Sequence, residues 1–238
     1  MNQQPLGKTA WSQIAWVVGG LCFLGILFLP FDLAIARFML QDVTPGEIRA
    51  IAYRAEVFGH GYGILAMGIT IFLLDPKRRG GLPRLALNCV AAGFSANLIK
   101  LSVWRTRPRI FEGLESEGST FLGTIFTASD WTWAQLIDSS QHSFPSAHTA
   151  TAVAVAITLS KWYPAGRWWF ASLALLCAFN RVDGGAHYVS DVCFGAALGY
   201  GVTQFCYHSA KVNRFLARWE TPQRETSVVM TPGLRQVA

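Results

Sequence analysis

Three short clusters hold the residues of this chain whose types and spacing could do chemistry. They are Lys100 to Pro108 (K-L-S-V-W-R-T-R-P), Pro145 to His148 (P-S-A-H) and Arg181 to Asp191 (R-V-D-G-G-A-H-Y-V-S-D). Cations, histidines and carboxylates together are the equipment of a phosphate site. Arginine forks match phosphate oxygens and lysine adds a point charge, so Lys100, Arg107 and Arg181 are candidates for holding the anion. A lysine at the end of an apolar run can also simply snorkel to an interface, but its two arginine companions favour the site. Lys100 and Arg107 are seven apart, two turns of a continuous helix, with Pro108 helping to end it. Arg105 and Arg109 are read as interface residues.

Ser146, Ala147 and His148 open a helix, where free N–H groups attract anions. Ser146 can cap that helix, donate to phosphate, or do both. His148 is placed to protonate a leaving oxygen. His187 and Asp191 are four apart and would be neighbours on one helix face. A carboxylate there would fix the tautomer of His187 and leave its second nitrogen as a nucleophile. The chemistry implied is in-line attack on phosphorus, a phosphohistidine intermediate and hydrolysis by water, with the three cations stabilising the equatorial oxygens. A purely structural His–Asp pair is the bland alternative.

The elements that must position these groups follow from hydropathy. Of 238 residues, 52% are hydrophobic and only 14% charged, too apolar for an ordinary soluble domain. Runs of membrane-crossing length or near it cover 11–30, 57–74, 85–104, 146–163, 167–181 and 188–207. The expectation is therefore an all-α, six-span membrane protein forming one domain, 1–238. The ends of the third and fifth spans and the starts of the fourth and sixth then share one membrane face, and the three clusters converge.

Twelve of the 20 Lys and Arg residues fall on the side of the termini, among them Lys77, Arg78, Arg79 and, in the tail from 208, Lys211 and Arg214. Positive loops stay cytoplasmic, which places the termini inside and the clusters at the outer face. The first run is longer than a signal-peptide core and reads as an uncleaved anchor. The five cysteines all sit in apolar runs without paired metal spacing, so neither a disulfide nor a metal site is expected. No cofactor or nucleic-acid partner is expected either. The mixed-charge segment from Phe31 to Glu56 reads as an interfacial helix and turn or a solvated connection. The segment from Arg109 to Phe144, with Trp131 and Trp133, reads as a lid, a lipid-entry wall or a plain loop. The basic tail suits anionic headgroups or solvent.

With these residues in place, the clusters resemble the three signatures of the type 2 phosphatidic acid phosphatase superfamily, K-x6-R-P, P-S-G-H and S-R-x5-H-x3-D. The resemblance covers Lys100 through Asp191. It implies His187 as nucleophile, Asp191 as its partner, His148 as general acid, and Lys100, Arg107, Ser146, Ala147 and Arg181 around the phosphate. It also implies six helices, an outward site in the inner membrane of a bacterium, no metal, and a lipid phosphate or diphosphate as substrate. Phosphatidic acid, phosphatidylglycerol phosphate, undecaprenyl diphosphate and the phosphates of lipid A are the candidates, and the G-A-H-Y-x-S-D stretch is similar to lipid A phosphatases.

Two positions depart from the pattern. Ala147 stands for glycine, acceptable unless positive φ is required there, and Asn180 stands for serine but still donates a hydrogen bond. Asp183 orients Arg181, repels phosphate or faces solvent, the first being favoured. His60 and His142 are candidates for a headgroup contact or are plain interface residues. A phosphotransferase using the same residues, or a silent lipid-phosphate binding or transport protein, are the alternative readings.

Overall fold

The computed structural model describes residues 8–111, 119–124 and 142–220. The chain folds into α1 (Lys8–Phe28), α2 (Asp32–Met39), α3 (Gly46–Ala55), α4 (Gly61–Leu74), α5 (Leu82–Ser102), α6 (Ala147–Trp162), α7 (Arg167–Asp183), α8 (Val189–His208) and α9 (Ala210–Leu216). The six longest helices coincide with the six apolar runs.

Helix α6 is the hub, packed against α5, α7 and α8. Its centre is built from alanine, and Ala150, Ala152, Ala154 and Val155 have no exposed surface. Small side chains let neighbouring backbones approach closely, which is how helices associate when lipid supplies no hydrophobic drive. At Gly195 of α8 a Cβ would lie 2.5 Å from the carbonyl oxygen of Ser146, so only glycine permits that approach. Asn88 of α5 donates to Thr158 Oγ1 at 3.0 Å, a polar tie within the interior. The helix stops at Trp162, just ahead of the Tyr163–Pro164 pair that cannot continue it.

The outside of the bundle is apolar. Trp16, Leu74, Trp168 and Leu175 are each more than 70% exposed, an arrangement that suits lipid and would associate in water. Trp11–Met39 and Arg79–Ser102 are long and apolar enough to cross a membrane, and the bent pair Gly46–Gly59 and Gly61–Leu74, at 72°, would make a third span. Helices α6, α7 and α8 fall short of that measure. The buried α6 and α8 face protein more than lipid, so small and polar residues are tolerated there.

Two expectations need correction. Within the all-α frame a small antiparallel sheet occurs, β1 (Val103–Arg105) pairing with β2 (Phe121–Thr124). Helix α5 therefore ends at Ser102, and Val103 is already extended at φ −126° and ψ 114°. Lys100 and Arg107 are not two turns apart on one helix. A β-branched residue followed by Trp104 and a partner strand override continuation of the helix, and Pro108 instead opens a short 3-10 turn, Pro108–Ile110.

The mixed-charge segment is two short helices, α2 and α3, with Asp32 buried at the start of the first. The start of the basic tail is also anchored: Arg84 of α5 donates to Glu220 Oε2 at 2.8 Å and to Asn213 Oδ1 at 2.9 Å. Trp131 and Trp133, read as part of a lid, a lipid-entry wall or a plain loop, lie outside the described residues.

Candidate active site

The C-terminal ends of α5 and α7 and the N-terminal ends of α6 and α8 bring the three clusters together. Lys100 and Arg181 occupy last helical turns, Asp191 a first turn. Each charge thus sits at the helix end whose dipole favours it.

His187 is almost fully buried and Asp191 completely so. His187 precedes α8 and does not share a helix face with Asp191, contrary to the expectation from spacing. After α7 the chain turns back so that the N–H of His187 donates to the Arg181 carbonyl at 3.0 Å. The imidazole Nδ1 stands 3.8 Å from Asp191 Oδ2. Ser143 lies beside both: its hydroxyl donates to Asp191 Oδ2 at 2.6 Å and is 3.5 Å from His187 Nδ1. Asp191 Oδ2 also accepts the backbone N–H of Tyr188 at 2.9 Å. With Nδ1 on the Ser143–Asp191 side, Nε2 is the nitrogen left for chemistry. Burial pushes the imidazole down to about 3, which favours its neutral form.

The other carboxylate oxygen of Asp191 accepts from Arg105 Nη1 at 2.5 Å. Read from sequence as an interface residue, Arg105 is 1% exposed. It lies where β1, α2 and α8 meet, donating to Asp32 Oδ2 at 2.7 Å, Ser190 Oγ at 2.8 Å and Thr120 Oγ1 at 3.0 Å. The faces of Tyr188 and Phe121, 4.0 and 4.4 Å away, sandwich its guanidinium. Asp32 also accepts the Ser190 N–H at 3.0 Å and the Ser190 hydroxyl. A buried carboxylate needs compensating charge, and Asp191 draws it from Arg105. Arg109, by contrast, is exposed, as expected.

Lys100 is buried within electrostatic range of Arg107, Arg181 and Asp191, and its ammonium donates to the His142 carbonyl at 2.8 Å. His142, read as a headgroup or interface residue, is itself buried, and its backbone carbonyl holds Lys100. Burial and the nearby charges of Arg109 and Arg181 lower the Arg107 guanidinium from its ordinary value, a crowding of cations that an anion relieves. Ser146 Oγ accepts from Thr149 N at 3.4 Å and Thr149 Oγ1 at 2.9 Å, and the Ser146 N–H donates to the Asp191 carbonyl at 3.0 Å. Ala147 is the first residue of α6 in helical backbone, so the departure from glycine meets no requirement for positive φ.

Glu56, at the end of α3, joins the remaining groups. Its carboxylate accepts from Arg181 Nη1, takes 2.8 Å from Asn180 Nδ2 at Oε2, and lies 3.7 Å from His148 Nε2 at Oε1. The Nε of Arg181 is buried with no protein partner among the described residues. His60 places its ring 5.4 Å from that of His148. Gly59 allows this corner to form, since a Cβ there would meet the His148 carbonyl oxygen at 2.5 Å. Asp183 does not orient Arg181: it accepts from Arg49 of α3 at 3.0 Å. Among the described residues no group of three His, Cys, Asp or Glu side chains is placed to hold a metal.

Sequence reasoning missed Arg105, Asp32, Glu56 and Ser143. The one signal available was charge balance, since a buried Asp191 demands a cation beyond those assigned to phosphate.

Known proteins resemble this chain in sequence and fold. The model of the family described as PAP2 superfamily matches residues 82–215. The lipid A 1-phosphatase of Rhizobium etli is 33% identical over 110 residues, covering 46% of this chain and 42% of that protein. That of Rhizobium johnstonii is 32% identical over 115 residues, covering 48% and 42%. The chain thus spans under half the length of these curated relatives. Among solved structures, Aquifex aeolicus LpxE superposes with a TM-score of 0.53 at 19% identity, covering 75% of this chain and 96% of that one. The first transmembrane PAP2 type phosphatidylglycerolphosphate phosphatase from Bacillus subtilis gives 0.52 at 17%, covering 86% and 96%. These two establish a shared fold.

Proposed function

The chain belongs to the PAP2 superfamily, and from that premise we propose that it is a metal-independent lipid phosphatase of the inner membrane. In this reading all six long helices cross the bilayer as one domain. The termini are cytoplasmic and the site lies at the outer, periplasmic face. The substrate is an amphiphile carrying a phosphomonoester or terminal diphosphate, and a lipid A-type glycosyl phosphate is the first choice because both curated relatives are named for that substrate.

The observation that carries the proposal is the buried His187, neutral and backed by Ser143 and Asp191, in the electrostatic field of Lys100 and Arg107. His187 Nε2 attacks phosphorus in line with the leaving oxygen, and the P–O bond breaks as the P–N bond forms. His148 gives a proton to the departing oxygen. Lys100, Arg107 and Arg181 stabilise charge on the three equatorial oxygens, the interactions that matter most for phosphoryl transfer. Water, deprotonated by His148, then releases phosphate and restores both histidines.

Phosphate release by purified protein in detergent, with EDTA present and His187→Ala as control, tests this. The panel contains a lipid A-type glycosyl phosphate, phosphatidic acid, phosphatidylglycerol phosphate and undecaprenyl diphosphate. Release by the wild type alone is expected. Transfer of phosphate to an added alcohol without free phosphate would identify a phosphotransferase, and binding without turnover a silent binding protein.

A further inference from the structure

The two histidines of the site are each faced by a carboxylate. Asp191 lies 3.8 Å from His187 Nδ1, and Glu56 lies 3.7 Å from His148 Nε2. Each carboxylate also binds an arginine: Asp191 meets Arg105 through its other oxygen, while Glu56 meets Arg181 through Oε1, the oxygen that faces His148. We propose that Glu56 is the positioning residue of the general acid, fixing the ring of His148 and stabilising its protonated form while the leaving oxygen takes the proton. This rests on the reading of the site as a phosphatase.

The geometry separates Glu56 from a mere surface acid. It is carried to the site from α3, outside the three clusters, and its side chain is only 21% exposed. One oxygen, Oε1, faces both Arg181 and His148, while Oε2 is fixed by Asn180. Asn180 is the position where this chain departs from the serine of the family pattern, and its amide holds Glu56 in place. Among the described residues, the titratable groups around His148 are Glu56 from the end of α3, His60 from the start of α4, Lys100 from α5 and Arg181 from α7. Glu56 is the one anion among them. An imidazolium next to two cations needs such a partner, and an opposite charge within about 4–6 Å favours the charged form.

In the step concerned, the P–O bond to the substrate breaks and the P–N bond to His187 forms. The proton on His148 passes to the bridging oxygen, leaving a neutral His148 and the lipid alcohol. Glu56 neither accepts nor donates that proton.

The test uses two amphiphiles with the same long chain, one an alkyl phosphate and the other a nitrophenyl phosphate whose phenolate leaves without protonation. The quantity is kcat/KM, which covers the steps up to phosphoryl transfer. Glu56→Gln keeps shape and hydrogen-bonding capacity but removes the charge. It is expected to lose roughly a hundredfold on the alkyl ester, the scale of general-acid catalysis, and at most a few-fold on the nitrophenyl ester. Glu56→Asp should recover part of the alkyl activity. Equal losses on both esters would mean that Glu56 acts only through Arg181 or the fold, and would overturn the inference while leaving the phosphatase reading intact. A wild type inactive on both esters and on the lipid panel would overturn the reading itself, and this inference with it.

Discussion

Ser143 Oγ donates to Asp191 Oδ2 at 2.6 Å, shorter than any contact the carboxylate makes with the histidine it serves. The hydroxyl helps hold Asp191 in place and sits 3.5 Å from His187 Nδ1. Ser143→Ala removes one of the fixed hydrogen bonds of Asp191 while Arg105 and the Tyr188 N–H keep theirs. Stability is expected to fall by about 1–2 kcal/mol, the cost of one buried hydrogen bond. The kcat should drop several-fold and KM stay near wild type, as steady-state kinetics in detergent will measure.

Replacing His187, the proposed nucleophile, gives a different signature. His187→Asn should lower turnover roughly a thousandfold or more, since residues acting as a unit in covalent catalysis show losses of this order. Phosphate-analogue binding, measured by calorimetry, should survive because Lys100, Arg107 and Arg181 remain.

Arg105 is the change expected to damage the fold most. Arg105→Met leaves Asp32 and Asp191 buried without their counter-charge, and breaking a buried pair costs about 3–5 kcal/mol. Thermal unfolding in detergent should show the drop. The double variant Arg105→Met with Asp32→Asn should regain part of it, because one of the two stranded charges is gone.

The pH response of His187 has a definite sign. Its folded value, about 3, lies below the ordinary value near 6.5, so the unfolded chain takes up the proton first as pH falls. The stability contributed by neutral burial is complete above about pH 6.5 and declines below it, by up to about 1.4 kcal/mol per pH unit. Unfolding between pH 4.5 and 7.5 should therefore be more acid-sensitive in the wild type than in His187→Asn. The kcat/KM profile should show no acid limb near 6.5 assignable to His187.

Glycine at position 59 is a steric requirement. Gly59→Ala would place a Cβ 2.5 Å from the His148 carbonyl oxygen and 2.9 Å from Cys177 Sγ. Overpacking of this kind costs about 1–3 kcal/mol, and displacement of α6 should lower kcat as well as the unfolding temperature.

The six long helices were legible in the sequence because each coincides with an apolar run, and a run needs only local information. So was the convergence of the three clusters, which follows from alternating the direction of six helices. What was not legible depends on contacts between distant segments. Asp32 and Arg105 are 73 residues apart, Glu56 and Arg181 125 apart, and nothing local in a mixed-charge stretch distinguishes a solvated acid from one that reaches the site. The end of α5 was misread for a related reason: Val103 and Trp104 are compatible with either state, and the partner strand at Phe121–Thr124 decided between them. His187 and Asp191 are close as the spacing implied, yet through a turn that leads into α8.

Asp32 and Glu56 lie outside residues 82–215, the part that matches the family model, yet each supports a group inside it. The matched segment is therefore not a transplantable module. A chimera joining 82–215 of this chain to the leading helices of a relative would need an acid supplied at both places. Without the first, Arg105 would be left with a single carboxylate; without the second, His148 would face two cations alone. Divergence of the leading helices and divergence of the core are consequently tied, and substitutions at these two acids should tolerate change only in company with Arg105, Ser190 and Asn180.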